Sequence, residues 1–285
     1  MLKTPQNAFH VYRFQLLPLS QQELFQIGSE VLSLDSLKAK KNEMFARVLA
    51  NIPSLDYEKT ELVHKVENIG EGLFRFSLAV KRKLTVSPTP FDEHPVPDWP
   101  SLDIVINNDP LVQKIAIEND PKVFQHSTTA AGILERNFNL LLKQYDLAIF
   151  IEPTFEKNDF WALVSEHEGK ITSVKFELIS PNMANISKTL TIDLKSLNST
   201  TNNHKTKIEL SSDKDSSLTL SPESPLVDSL VNYASEGGGK ISMKIRGYRK
   251  TITTERSIIE RRIDLIDITS ETQQELADAV KNLLN

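Results

Sequence analysis

The sequence predicts an α+β protein of two domains, with mixed or antiparallel sheets and packed helices. In the first half, strand-like runs are joined by short turns, which is typical of antiparallel pairing. In the last third the predicted order is β-α-β-α-β-β-α, in which strands alternate with helices except for one hairpin near the end. A doubly wound sheet would alternate strands and helices throughout. A chain of 285 residues, 39% of them hydrophobic, is also long enough to bury a large core.

Residues 1–90 are predicted to form an N-terminal α+β domain. A helical spacing of apolar residues indicates a helix that ends at Pro53 and carries Lys38, Lys40 and Lys41 on its outer side. Two glycines between the last two strands supply the positive φ of a hairpin turn. The predicted strands are residues 8–17, 62–66 and 73–80, and the predicted helix is residues 34–52.

Five prolines between residues 87 and 100 indicate a linker, because proline fixes φ and cannot donate to a strand ladder. Residues 101–285 then form the predicted C-terminal α+β domain. One of its helices is expected to have Ser221 as its cap and Pro222 at its first position, and to end at Gly237. Its other predicted helices are residues 128–143 and 181–197 and a last helix opening at 270–273, and its main predicted strands are 147–151, 171–179, 205–210, 239–248 and 257–268.

Composition excludes several classes of function. The chain has no cysteine, so disulfides, thiolate metal sites and a cysteine nucleophile are ruled out. Its net charge of −5 gives no general reason to expect nucleic acid. Apolar runs are too short to span a bilayer and no targeting segment is apparent, so we expect a cytoplasmic protein without membrane contact. No cofactor motif is present, and a three-glycine run at 237–239 lacks the Ser or Thr of a phosphate loop.

A basic segment after these glycines is the most informative feature. Between Lys240 and Arg262 lie eight basic and two acidic residues, which give a net charge of +6 within an acidic chain. Strand periodicity places alternate side chains of this segment on one face, where cations about 7 Å apart would match the phosphate spacing of one DNA strand. The alternative is a solvated sheet face. The predicted nucleic-acid-binding residues are Lys240, Lys244, Arg246, Tyr248, Arg249, Lys250, Arg261 and Arg262.

Asp159, Glu168 and Lys170 offer an enzymatic alternative. Metal-dependent nucleases of the restriction-enzyme type use an acid followed at a distance by Glu-x-Lys, so that two carboxylates hold a divalent cation and the lysine steadies the phosphate. The spacing fits here. However, residues 166–170 are predicted to form a turn before a strand, which would leave these side chains in solvent.

A resemblance extends over residues 134–265. The runs Gln-Tyr-Asp-Leu-Ala-Ile-Phe-Ile-Glu-Pro at 144–153, Phe-Trp-Ala-Leu-Val at 160–164 and Ile-Thr-Ser-Val-Lys-Phe-Glu-Leu-Ile-Ser-Pro-Asn at 171–182 are similar in order and spacing to the RexA-like phage-exclusion proteins. The chain also resembles uncharacterised proteins encoded beside phage-defence genes, which share the glycine run and the basic ending. The resemblance implies a dimeric, two-domain α+β protein that binds duplex DNA without strong sequence preference and takes part in abortive infection.

These observations favour a non-enzymatic DNA-binding component of a bacterial anti-phage defence system. The expected partners are duplex DNA, a second copy of the chain and a protein from the same operon. A metal-dependent nuclease, with a divalent metal as its cofactor, is one alternative. The other is a protein-interaction scaffold or sensor without either activity.

Overall fold

The computed structural model describes residues 6–70, 72–89, 92–180, 194–264 and 273–284. It has the predicted α+β fold, with antiparallel sheets and packed helices. The helices are α1 (Leu34–Ala50), α2 (Ser127–Leu142), α3 (Lys157–Glu166), α4 (Leu194–Thr201), α5 (Pro225–Tyr233) and α6 (Gln273–Leu284). The strands are β1 (Gln6–Pro18), β2 (Leu24–Ile27), β3 (Glu30–Ser33), β4 (Leu62–Gly70), β5 (Leu73–Val80), β6 (Arg82–Thr89), β7 (Asp92–Asp98), β8 (Ser101–Asn107), β9 (Lys114–Glu118), β10 (Leu147–Pro153), β11 (Ile171–Ile179), β12 (Lys205–Ser211), β13 (Gly239–Ile245), β14 (Ile252–Thr253) and β15 (Glu260–Asp264).

The chain divides into two compact units, and each is assembled from separated segments. The first contains Met1–His10, Asn42–Leu142 and Arg261–Asn285, and the second contains Val11–Lys41 and Lys143–Glu260. This division differs from the predicted one at residues 87–100. That segment lies inside the first unit, where β6 and β7 form a two-stranded hairpin in which neither strand is central, so its prolines remove no hydrogen bond from a larger sheet.

The first unit is built on strands β9, β8, β5 and β4, which are neighbours in that order. On one face of this sheet, α6 buries Leu276, Val280 and Leu283 in a cluster with Phe9 and Leu73. Phe76 of β5 packs edge-on against Phe138 of α2, with ring centroids 6.5 Å apart. Burial along β5 therefore alternates after Leu73: the residues on the face of Phe76 are buried, whereas Arg75, Ser77 and Ala79 on the opposite face are half-buried.

The second unit contains a four-stranded sheet in the order β12-β11-β13-β14. One face is apolar, because Phe176 of β11 and Ile241 and Met243 of β13 are buried in a cluster with Phe160 of α3 and Leu230 of α5. The other face carries the alternate, polar residues of the same strands. This sheet positions the basic segment of the sequence.

Several local predictions were wrong or incomplete. The helix expected to begin at Pro222 begins at Pro225, with Ser224 at its N-cap, because the sequence repeats the Ser-then-Pro signal. Ser221 instead accepts the Glu223 amide in a turn (3.1 Å).

Lys41, expected on the outer side of α1, is buried, and this burial lowers its pKa to about 8. Residues 181–193 of the predicted helix 181–197 and residues 265–272 lie outside the described residues; α4 covers 194–197.

Candidate nucleic-acid interface

The basic strand β13 pairs with β11 throughout its length, so the residues of β11 decide the electrostatic surroundings of each lysine. Glu177 lies opposite Lys240, whereas Ser173 lies opposite Lys244. The start of β13 therefore faces a carboxylate across the ladder, and its end faces a hydroxyl.

At the start of β13, the lysines of the polar sheet face are paired with carboxylates. Glu177 contacts Lys175 (2.9 Å) and Lys207 (3.5 Å), and Glu255 contacts Lys240 (3.6 Å). A side-chain hydrogen bond from Lys175 is the main cause that lowers the pKa of Glu177. We call this group the paired face: Lys175, Lys207 and Lys240 with Glu177 and Glu255.

Lys240 lies near the carboxylates of three glutamates. Burial alone would lower its pKa, but the carboxylates of Glu255, Glu152 and Glu177 outweigh that effect and raise the pKa instead. Lys240 was predicted to bind phosphate. Within this structure, its charge is balanced by neighbouring acids.

The strand ends earlier than predicted. The alternation predicts a strand to residue 248, but β13 ends at Ile245, and Gly247 follows with φ of +88°. The single row of cations expected from Lys240 to Lys250 is therefore limited to Lys240 and Lys244, with Ser242 between them. Tyr248, Arg249 and Lys250 lie instead in the loop that leads to β14.

This loop is attached to the turn before β11. The Arg246 amide donates to the carbonyl of Lys170 (2.8 Å), and the Arg246 Nη2 donates to the carbonyl of Ser216 (2.5 Å). The ring of Tyr248 meets the ring of buried His167 edge-on, with centroids 5.2 Å apart. These contacts bring Lys170, which belonged to the nuclease hypothesis, beside the predicted DNA-binding residues.

The cations at this end of the sheet are exposed. Among the described residues, none of them makes an ion pair with a carboxylate. We call this group the basic end: Lys170, Lys244, Arg246, Arg249 and Lys250.

Two glycines at the junction between α5 and β13 have a steric role. A Cβ on Gly238 would lie 2.4 Å from the ring of Tyr233, and a Cβ on Gly239, whose φ is +152°, would lie 2.1 Å from the carbonyl oxygen of Glu177. The hydroxyl of Tyr233 donates to the Ile179 carbonyl (2.6 Å), and burial raises the pKa of Tyr233. The glycines thus let the end of α5 approach β11 closely enough for β13 to pair with it.

Two predicted residues belong to the other compact unit. Arg261 and Arg262 of β15 are exposed and, with Asn282 and Leu283 of α6, line a cavity of about 260 Å³. They therefore do not belong to the basic end, which lies in the second unit.

The residues of the nuclease alternative are held at opposite ends of one helix. Asp159 is in the first turn of α3, and Glu168 and Lys170 lie in the turn that follows it, as predicted. The helical rise from Asp159 to the end of α3, before the turn that carries Glu168, is about 10 Å. Among the described residues, no three His, Asp or Glu side chains form a group that could hold a metal.

Comparison with protein-family models, curated proteins and solved structures found no match to the chain. Within the described ranges, no helix combines the length and the apolar character needed to cross a membrane.

Proposed function

We propose that the protein binds nucleic acid through the phosphate backbone, at the basic end of the second unit, without reading base sequence. The observation that supports this function best is the set of five exposed cations that make no ion pair among the described residues. A lysine or arginine without an ion pair can contact a phosphate without first leaving a carboxylate. Each such contact releases counterions condensed on the nucleic acid, which favours binding.

Backbone binding fits the position of these cations, four of which lie in turns and a loop. Lysine and arginine can contact phosphate from exposed turns and loops, whereas the same side chains read bases only when a strand or helix carries them into a groove. Tyr248 is 55% exposed and can stack on a base or donate to a phosphate. Duplex DNA is the proposed ligand, and a role in anti-phage defence as a cytoplasmic homodimer is a proposal that rests on the resemblance and the composition.

The nuclease alternative is less well supported. It requires Asp159 and Glu168 on one ion, and these residues lie at opposite ends of α3. In a non-catalytic scaffold, the basic end would stay in solvent. The binding experiment below separates such a scaffold from a protein that binds the phosphate backbone.

The test is a titration of the protein with several duplexes of unrelated sequence at increasing salt. The affinities should agree within about twofold among sequences, and the logarithm of the binding constant should fall linearly with the logarithm of salt concentration. The triple variant Lys244→Ala, Arg249→Ala, Lys250→Ala should weaken binding to every duplex alike, by about tenfold or more. No binding by the wild-type protein at low salt would contradict the proposal.

A further inference from the structure

A cavity of about 430 Å³ lies in the second unit next to the basic end. One wall is α3 with the turn that follows it, and the other is the extended segment before α5. The Leu218 amide donates to the Ile171 carbonyl (2.7 Å) and ties the two walls together. The lining residues that matter here are Trp161, Ser165, Glu168, Ser217, Leu218 and Thr219.

The lining combines apolar surface with a few polar groups. Trp161 and Leu218 supply apolar area, three hydroxyl side chains can donate or accept, and Glu168 is the charged group among the described lining residues. Sites of about 300–1,000 Å³ with this mixture are typical of small-molecule pockets. The composition suits a flat group with apolar faces and a polar edge.

The cavity and the basic end share the same backbone segments. Gly169 and Ile171 line the cavity, and between them Lys170 accepts the Arg246 amide. On the other wall, Ser217 lines the cavity, and its neighbour Ser216 accepts the Arg246 guanidinium. Arg246 therefore contacts residues next to both walls, which places a cation beside the cavity.

We propose that the cavity binds a nucleobase whose phosphate lies on the basic end. This inference rests on the proposed function and names its substrate class: nucleic acid with an unpaired base, or a free nucleotide. A base offers faces that pack on Trp161 and Leu218, and base stacking on aromatic residues is tolerant of sequence. The carboxylate of Glu168 accepts from an exocyclic amino group, which adenine, cytosine and guanine have and thymine lacks.

The experiment compares two DNA duplexes that differ in one position. In the first, a single 2-aminopurine is unpaired in a bulge, and in the second, the same base is paired. We expect the wild-type protein to bind the bulged duplex about tenfold more tightly than the paired one. Binding should also change the fluorescence of the 2-aminopurine in the bulge. Glu168→Ala, which removes the acceptor at an exposed position, and Trp161→Leu should each reduce this ratio towards one. Glu166→Ala is the matched control, because Glu166 lies beside the same turn but does not line the cavity.

The outcomes distinguish the two proposals. Equal affinity for both duplexes, with binding that still weakens with salt, overturns the cavity inference and leaves backbone binding intact. Absence of duplex binding, together with thermal stabilisation by dAMP over dTMP that Glu168→Ala abolishes, overturns the proposed function and supports a free-nucleotide site. Absence of both overturns both.

Discussion

The two ends of β13 carry the same kind of side chain in different surroundings. At its start, Lys240 is balanced by Glu255 and by Glu177 on the neighbouring strand. At its end, Lys244 faces Ser173, and the cations that follow make no ion pair among the described residues. The charge of a sheet face is thus decided by the strand that is paired with it, and the sequence alternation of one strand is not enough to predict a binding surface.

The largest expected effect comes from the glycine that fixes this pairing. In Gly239→Ala, the added Cβ would meet the Glu177 carbonyl oxygen at 2.1 Å from a backbone with φ of +152°. We expect a loss of about 3 kcal/mol or more in the free energy of unfolding, measured by urea denaturation.

Gly132→Ala in α2 is the control for this variant. Nothing lies within 4 Å of a Cβ at that position, so alanine should be neutral or stabilise the helix by up to about 1 kcal/mol. If both variants had the same stability, the pairing of β13 with β11 would not depend on the close approach described here.

A smaller effect is expected where the basic end is attached to the fold. His167→Ala removes the ring contact with Tyr248, which should cost about 1 kcal/mol and increase hydrogen exchange in residues 246–251. Duplex affinity should fall about threefold because ordering the loop then opposes binding. Tyr248→Phe keeps the ring contact and should leave exchange in the loop unchanged; a faster exchange there would show that the hydroxyl, not the ring, holds it.

The smallest expected effect is on duplex affinity, when a substitution in the paired face leaves two lysines without their carboxylate. Glu177→Gln removes the carboxylate that contacts Lys175 and Lys207, so duplex affinity should rise about twofold to threefold at low salt. Unchanged affinity would mean that this part of the sheet does not reach the ligand.

The same variant gives a pH dependence of stability. Because the folded state lowers the pKa of Glu177, its stabilising contribution is fully present above the ordinary value of 4.5 and is lost as pH falls through the lower, folded value. The stability difference between the wild-type protein and Glu177→Gln should therefore be constant above about pH 4.5 and shrink below it. A difference that grew on acidification would contradict this assignment.

Much of the fold could be predicted because strong periodicity decides it locally. The predicted strand 8–17 and helix 34–52 are confirmed as β1 and α1, and the strand 171–179 is confirmed as β11. The short helix α3 and the hairpin of β2 and β3 were not predicted. Both lack a long apolar pattern, so their existence depends on the tertiary packing around them.

The candidate site was less predictable, for two reasons. The end of β13 could have been inferred from Gly247, since a glycine inside a strand pattern often marks a turn. The pairing of Glu177 with Lys175, Lys207 and Lys240 depends on strand register, and the cavity joins segments about 50 residues apart. One sequence does not determine either arrangement.

The most direct test compares two triple alanine variants that change the net charge equally. One removes Lys244, Arg249 and Lys250 from the basic end, and the other removes Lys175, Lys207 and Lys240 from the paired face. Arg246 is left in place because its guanidinium binds the Ser216 carbonyl. The slope of log affinity against log salt concentration is measured for each with one duplex.

We expect the first variant to reduce the magnitude of this slope by about 2 to 3, because each lost phosphate contact contributes about 0.9. The second variant should retain the wild-type slope. Equal losses in the two variants, or a larger loss for the paired face, would contradict the claim that the protein binds nucleic acid through the basic end.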